Sequence, residues 1–193
     1  TSNKVNLDEH DINYYEDKKI EINLVGNIDY IKQKLGNGTD LVVREFNVDN
    51  TKVGICFIDG LVNKDFLQNY IMSNLMIFLR MVSESVENIE AFASNDLTAS
   101  EIANVENFKD VFNKILSGDT VLLIDNQKIA LGIGSRGWSD RGISYPSTEP
   151  ANKGPKDSFT ETLRTNTALI RRRIKNVNLR IESMILGKLT NTD

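Results

Sequence analysis

Five basic side chains crowd one short stretch of the sequence: Arg164, Arg171, Arg172, Arg173 and Lys175. Guanidinium groups at this density can clamp phosphate, carboxylate or anionic lipid head groups through paired N–H donors. Three consecutive arginines sweep about 200° of a helix, so some of them must border its apolar face. The competing reading is a solvated face with Glu161 pairing to Arg164, because exposed ion pairs contribute little. The chain is otherwise acidic, with 27 Asp and Glu against 23 Lys and Arg, so the cluster exceeds what solubility requires. Arg164, Arg171, Arg172 and Arg173 are therefore expected to contact a neighbour: the first part of the same chain, another subunit, or lipid phosphate. No aromatic residues interleave with them, and the net charge is -4. Both observations argue against nucleic acid as a partner.

The remaining candidate chemistry is thinner. Gly132-Ile133-Gly134-Ser135-Arg136-Gly137 satisfies G-x-G-x-x-G, and Asp157 lies 20 residues past its last glycine. That motif works only where a strand, a tight turn and a helix N-terminus follow one another. Here Trp138 to Pro146 carries no helical period, so the glycines read as a twist or bulge in a strand and no cofactor is expected. His10, the single histidine, sits beside Asp8, Glu9 and Asp11 without a nucleophile motif. One imidazole with scattered carboxylates makes a poor metal site. Glu84, Glu87 and Glu90 read as a solvated helical stripe. Cys56, inside Val53-Gly54-Ile55-Cys56-Phe57-Ile58, reads as a buried inert thiol, and a lone cysteine excludes an internal disulfide. No catalytic, cofactor or metal residues are assigned, and no enzyme is expected.

The elements that must position the arginines follow from periodicity. Hydrophobic residues make up 40% of the 193, enough for a core. Residues 1–19 lack apolar periodicity and read as a flexible arm with no targeting segment. Ile20, Leu24, Ile28, Ile31 and Leu35 recur at helical spacing, stopped by Gly36. Leu41–Phe46 and Lys52–Ile58 read as strands joined by Asp49-Asn50, the second one in a central position. Asn63 caps a long helix to about Val82, whose apolar run is broken by Gln68, Asn69, Ser73, Asn74 and Arg80. It reads as a buried helix, not a membrane span, which needs about 20 nearly unbroken apolar residues. Thr98-Ala99-Ser100-Glu101 is a capping box opening helical sequence that carries Ile102, Val105, Phe108, Val111, Phe112, Ile115 and Leu116. Val121–Ile124 and Ile129–Ile133 form a hairpin across Asp125–Lys128.

From Ser144 to Asp157 the character changes: the segment holds Pro146, Pro150 and Pro155, the only three prolines. It reads as a linker. Ser158-Phe159-Thr160-Glu161 is a second capping box, before a helix whose apolar face is Phe159, Leu163, Ile170 and Ile174. Asn27 to Leu35 matches Asn166 to Ile174 at an offset of 139 (27 and 166), and Leu41-Val42-Val43 falls on Leu179-Arg180-Ile181 with one gap. Both copies read helix, turn, strand, and the second stops before its central strand, as in a truncated chain or proteolytic fragment. The expected fold is thus α/β: a first subdomain over 20–145 with a mixed sheet, both parallel and antiparallel, and packed helices. A linker over 146–158 and an incomplete second, related subdomain over 159–193 complete it.

Lys153-Gly154-Pro155-Lys156-Asp157-Ser158-Phe159, followed by Thr160-Glu161-Thr162-Leu163-Arg164-Thr165-Asn166 and then Thr167-Ala168-Leu169-Ile170-Arg171-Arg172-Arg173-Ile174, resembles the GerA family. These are the A subunits of nutrient germinant receptors in spore-forming bacilli and clostridia. Asp40–Phe46, Val53–Leu61 and Arg136-Gly137-Trp138 resemble the same family. Lys153 and Lys156 stand where it usually has arginine, and Asn176-Val177-Asn178 where it often has Asp/Asn-Pro-Asn. The resemblance implies a soluble N-terminal α/β region of two related subdomains, then a membrane-embedded region that is absent from this chain. It further implies assembly with B and C subunits in the spore inner membrane, with other A subunits as further partners. The lack of a targeting segment favours the cytoplasmic (spore core) side for this domain, which by the resemblance would relay, gate or assemble. The alternative is a module that binds the small-molecule germinant itself.

Overall fold

The fold is that of a computed structural model, which describes residues 18–48, 50–68, 102–137 and 159–184. The chain opens with Lys19 bridged to Asn107 and enters helix α1, Leu24–Lys34. Asn23 caps α1: its side chain accepts from the amides of Val25 and Gly26, which the helix itself cannot satisfy. Leu24, Ile28 and Ile31 point into the core, and Ile20 and Leu35 are buried at either side. Strands β1, Leu41–Val48, and β2, Thr51–Ile58, follow as an antiparallel pair running from Leu41↔Ile58 to Val48↔Thr51. Asn63 caps the short helix α2, Lys64–Phe66, accepting from the Phe66 amide.

Strand β3, Ile102–Val105, precedes helix α3, Phe108–Leu116, which is capped by Asn107. Strands β4, Thr120–Ile124, and β5, Ala130–Ile133, form the expected hairpin. The sheet order is β1-β2-β4-β5-β3. β2 is an interior strand, and this explains its unbroken apolar run: Cys56 and Ile58 join the cluster under α1 and α3, while Val53, Ile55 and Phe57 join the one on the opposite face. Helix α4, Leu163–Arg173, carries the arginines.

The α/β class holds, with five corrections. Every ladder among the described residues is antiparallel, so the expected parallel pairing is absent. Ile102 and Val105 lie in a strand, and the helix starts only at Phe108; four residues of alternating character fit either period, and pairing with β5 decides. No box forms at Glu161: α4 is capped from Thr162, whose side chain makes no capping bond. Its expected apolar face is also not the buried one. Phe159, Leu163 and Ile174 are exposed, while Ala168, Leu169 and Arg171 are buried, because this helix docks through the face that carries Ala168 and Arg171. Leu179–Ile181 is not assigned as a strand. The arm, His10, the long helix beyond Gln68, the acidic stripe, the first capping box and the linker lie outside the described residues.

The offset of 139 recurs in three dimensions. α1 and α4 both have 11 residues, starting at Leu24 and Leu163 and ending at Lys34 and Arg173. In α1, the Asn27 side-chain oxygen accepts from the Glu21 amide at 3.0 Å and its nitrogen donates to the Glu21 carbonyl at 2.6 Å. In α4, Asn166 makes the same two bonds to the backbone of Thr160, both at 2.7 Å. Each asparagine thus pins the chain six residues before it, which sets the angle at which the backbone enters the helix.

Candidate functional site

The β1–β2 register explains where the arginine helix lands. Asp40 precedes β1 and Asp59 follows β2, and because Leu41 faces Ile58 the two acids emerge at the same end of the sheet. The Asp59 amide donates to the Asp40 carbonyl at 2.8 Å. Helix α4 lies across this end. Arg171 donates to Asp40 in bidentate fashion, Nε to Oδ2 at 2.6 Å and Nη2 to Oδ1 at 3.1 Å, and Nη1 reaches the Asn176 carbonyl at 3.4 Å. Both side chains are sealed from solvent, 1% and 5% exposed. Removing one partner of such a buried pair costs about 3–5 kcal/mol, because it strands the other charge.

Seven residues earlier on α4, Arg164 meets Asp59 at 2.9 Å, and Lys64 reaches the same carboxylate oxygen at 2.9 Å. Here the side chains are 47% (Arg164), 49% (Lys64) and 27% (Asp59) exposed, so the contact falls in the class worth about 0–1 kcal/mol. Between the two ion pairs the helix backbone closes onto Gly60. A Cβ there would stand 2.9 Å from that of Ala168, and φ of +85° already favours glycine.

The chain after α4 adds contacts at the Asp40 end, and Lys175 donates to the Ser117 hydroxyl at the end of α3 at 3.4 Å. Thr39 donates to the Ile181 carbonyl from its amide at 3.0 Å and its hydroxyl at 3.3 Å. Arg180 donates to the Lys34 carbonyl at 2.8 Å and to that of Val177, supplying a cation to the C-terminus of α1. Its side chain lies where a Cβ on Gly36 would project. Beyond Arg164, α4 and the β2–α2 turn border a cleft of about 790 Å³ lined by Lys64, Asp65, Gly137, Thr162, Arg164 and Arg172.

Of the four arginines singled out, the structure seats Arg171 on Asp40 and Arg164 on Asp59, turns Arg172 to the cleft, and leaves Arg173 on the exposed side. Arg164 pairs with Asp59 instead of the expected Glu161. Sequence reasoning missed both aspartates: it gave neither a role at the site, and only the strand register shows that they share an edge.

Gly132 and Ile133 of the glycine-rich segment are in β5. Ser135 is tied to Thr120 at 2.7 Å, and Arg136 donates Nε and Nη2 to the buried Asp119 at 2.8 and 2.9 Å. Those bonds hold the strand end rather than present amides to a phosphate. Burial of the Cys56 thiol pushes its pKa up to about 12; the nearby Lys32 charge lowers it and Glu45 raises it. Desolvation dominates, so the thiol is protonated and inert.

Residues 29–193 match the family described as Bacillus/Clostridium GerA spore germination protein. The chain belongs to the GerA family. Spore germination protein GerLA of Bacillus cereus is 33% identical over 88% of this chain, and spore germination protein B1 of Bacillus subtilis is 33% identical over 89%. The chain spans about a third of the length of these curated relatives, 35% in each case. The crystal structure of the N-terminal domain of the A subunit of the Bacillus megaterium spore germinant receptor GerK3 aligns with a TM-score of 0.69 and 27% identity. The alignment covers 91% of this chain and 64% of that one. The GerA assignment thus rests on sequence and fold together.

Proposed function

We propose that this GerA-family chain belongs to the soluble N-terminal region of a germinant receptor A subunit, and that it acts in nutrient-triggered germination by relay, gating or receptor assembly. The observation that carries this reading is the buried Arg171–Asp40 pair, which joins the segment before β1 to a helix 131 residues later. Such a joint is a mechanical connection and leaves no reacting group exposed. The repeat supports a second α/β unit over 159–193 after a linker over 146–158. Leu163, Ile170 and Ile174 occupy the phase that Leu24, Ile31 and Leu35 occupy on α1, and Leu163 and Ile174 are 55% and 48% exposed, open to a further sheet. Among the described residues no helix is long and apolar enough to cross a membrane. In this reading the membrane-embedded region lies elsewhere in the polypeptide, in the spore inner membrane, with this unit on the spore-core side and B and C subunits as partners. Charge reversal at Arg171 and Arg172 to Glu should impair germination or receptor levels in spores; normal germination at normal levels would sink the assignment.

The cleft favours a second reading, a small-molecule binding module. A concave space of about 790 Å³ with Lys64, Arg164 and Arg172 on its walls suits a small polar nutrient. Calorimetric titration of amino acids and sugars into the purified protein separates the two: saturable heats support the module, and flat titrations remove it.

A further inference from the structure

We infer that α4 is hinged on the sheet, with a fixed pivot at Asp40 and a salt-labile latch at Asp59; this rests on the relay reading and specifies the motion it would use. Among the described residues the ion pairs and backbone contacts shown are unequally distributed along the helix. At its C-terminal end stand the sealed Arg171–Asp40 pair, the two Thr39 bonds to Ile181, and Arg180 on the Lys34 carbonyl. At its N-terminal end the ion pairs are Arg164 and Lys64 on Asp59, all three side chains reached by water. Charges in contact with solvent are screened by salt, while a dry bidentate pair is not.

The geometry converts this inequality into a lever. Arg164 lies about 10 Å of helix rise from Arg171, so a tilt of about 10° at the pivot carries Arg164 some 2 Å from Asp59. That suffices to break a 2.9 Å contact. Gly60, pressed against Ala168 midway, adds close packing but no polar bond that would resist the tilt. The same motion widens the cleft lined by Asp65, Thr162 and Arg172, so its opening is set by an electrostatic contact at its own mouth.

The test measures distances in the intact A subunit, purified in detergent, between paired spin labels. One pair, Asp65→Cys with Glu161→Cys, spans the mouth; the other, Gln33→Cys with Asn178→Cys, spans the pivot. Cys56 is buried and protonated and does not compete for label. Raising salt from about 0.1 M to about 1 M shortens the screening length from about 10 Å to about 3 Å. The mouth distance should lengthen by about 2 Å or more and broaden, with the pivot distance unchanged. Asp59→Asn should lengthen the mouth distance at low salt and abolish its salt response. Equal movement of both pairs, or none in either, overturns the hinge. Cross-linking the mouth cysteines in spores with a short bismaleimide then addresses the relay alone. Germination lost at unchanged receptor level upholds the relay, and normal germination with the link formed removes it while the hinge stands.

Discussion

Replacing Asp40 by Leu puts the buried ion pair to a quantitative test. The substitution leaves the Arg171 guanidinium, 1% exposed, facing an apolar side chain and keeping only its 3.4 Å bond to the Asn176 carbonyl. The expected loss is about 3–5 kcal/mol, equivalent to a 10²- to 10⁴-fold shift in the docking equilibrium. Arg171→Met is the reciprocal case: it strands the Asp40 carboxylate, 5% exposed, and should cost a similar amount. The double variant Asp40→Leu/Arg171→Met removes both charges and fills the site with apolar volume, so most of the loss should return. Urea unfolding of the purified protein, read as a double-mutant cycle, should give a coupling of at least about 2 kcal/mol. Asp59→Ala serves as the control: its partners Arg164 and Lys64 are about half exposed, and the loss should stay below about 1 kcal/mol. If Asp40→Leu costs no more than Asp59→Ala and the cycle shows no coupling, Arg171 is solvated in solution and the docking argument fails.

The other predictions are shorter. Asn27→Ala removes two bonds from a side chain that is 2% exposed and should cost about 2 kcal/mol, seen as a lower urea midpoint. Asn166→Ala removes the same two bonds at a half-buried position and should cost about 1 kcal/mol, confined to hydrogen exchange around α4. Gly60→Ala adds a methyl against Ala168 at a φ of +85° and should cost at least about 1–2 kcal/mol; Ala168→Gly should relieve the steric part and not the backbone part. For Cys56 the folded pKa is raised, so stability owed to the neutral thiol is complete below its ordinary 9.0 and is lost as pH climbs toward about 12, because only the unfolded chain ionises. Cys56→Ala should flatten that part of the pH–stability curve, and the native thiol should react with a disulfide reagent at pH 8 only as fast as the protein opens.

Much of the fold could be read along the chain because it is local. The helical spacing through Leu24, Ile28 and Ile31, the apolar run through Cys56, the Asn63 cap and the hairpin across Asp125 each depend on residues within a few positions of one another, and each is where the periodicity puts it, except that the helix starts at Leu24 and leaves Ile20 before it. The Lys153–Ile174 motif identified the family on its own, since so long a run of specific residues does not recur by composition. Ile102 to Val105 was misread because four residues cannot separate a period of 2 from one of 3.6; its partner, β5, lies more than 20 residues away.

The site divides the same way. The sequence alone pointed to Arg164, Arg171, Arg172 and Arg173 as residues expected to contact a neighbour, because charge density and the angular spread of three consecutive arginines are local properties. Only tertiary structure could name Asp40 and Asp59 as the partners. They are separated by a hairpin and from α4 by more than 100 residues, and they become neighbours because Leu41 pairs with Ile58. The same holds for the face that α4 buries. Periodicity records which side of a helix is apolar, but burial depends on what the helix is pressed against. Here that surface carries two carboxylates and a glycine, so Ala168 and Arg171 go inside while Leu163 and Ile174 stay out.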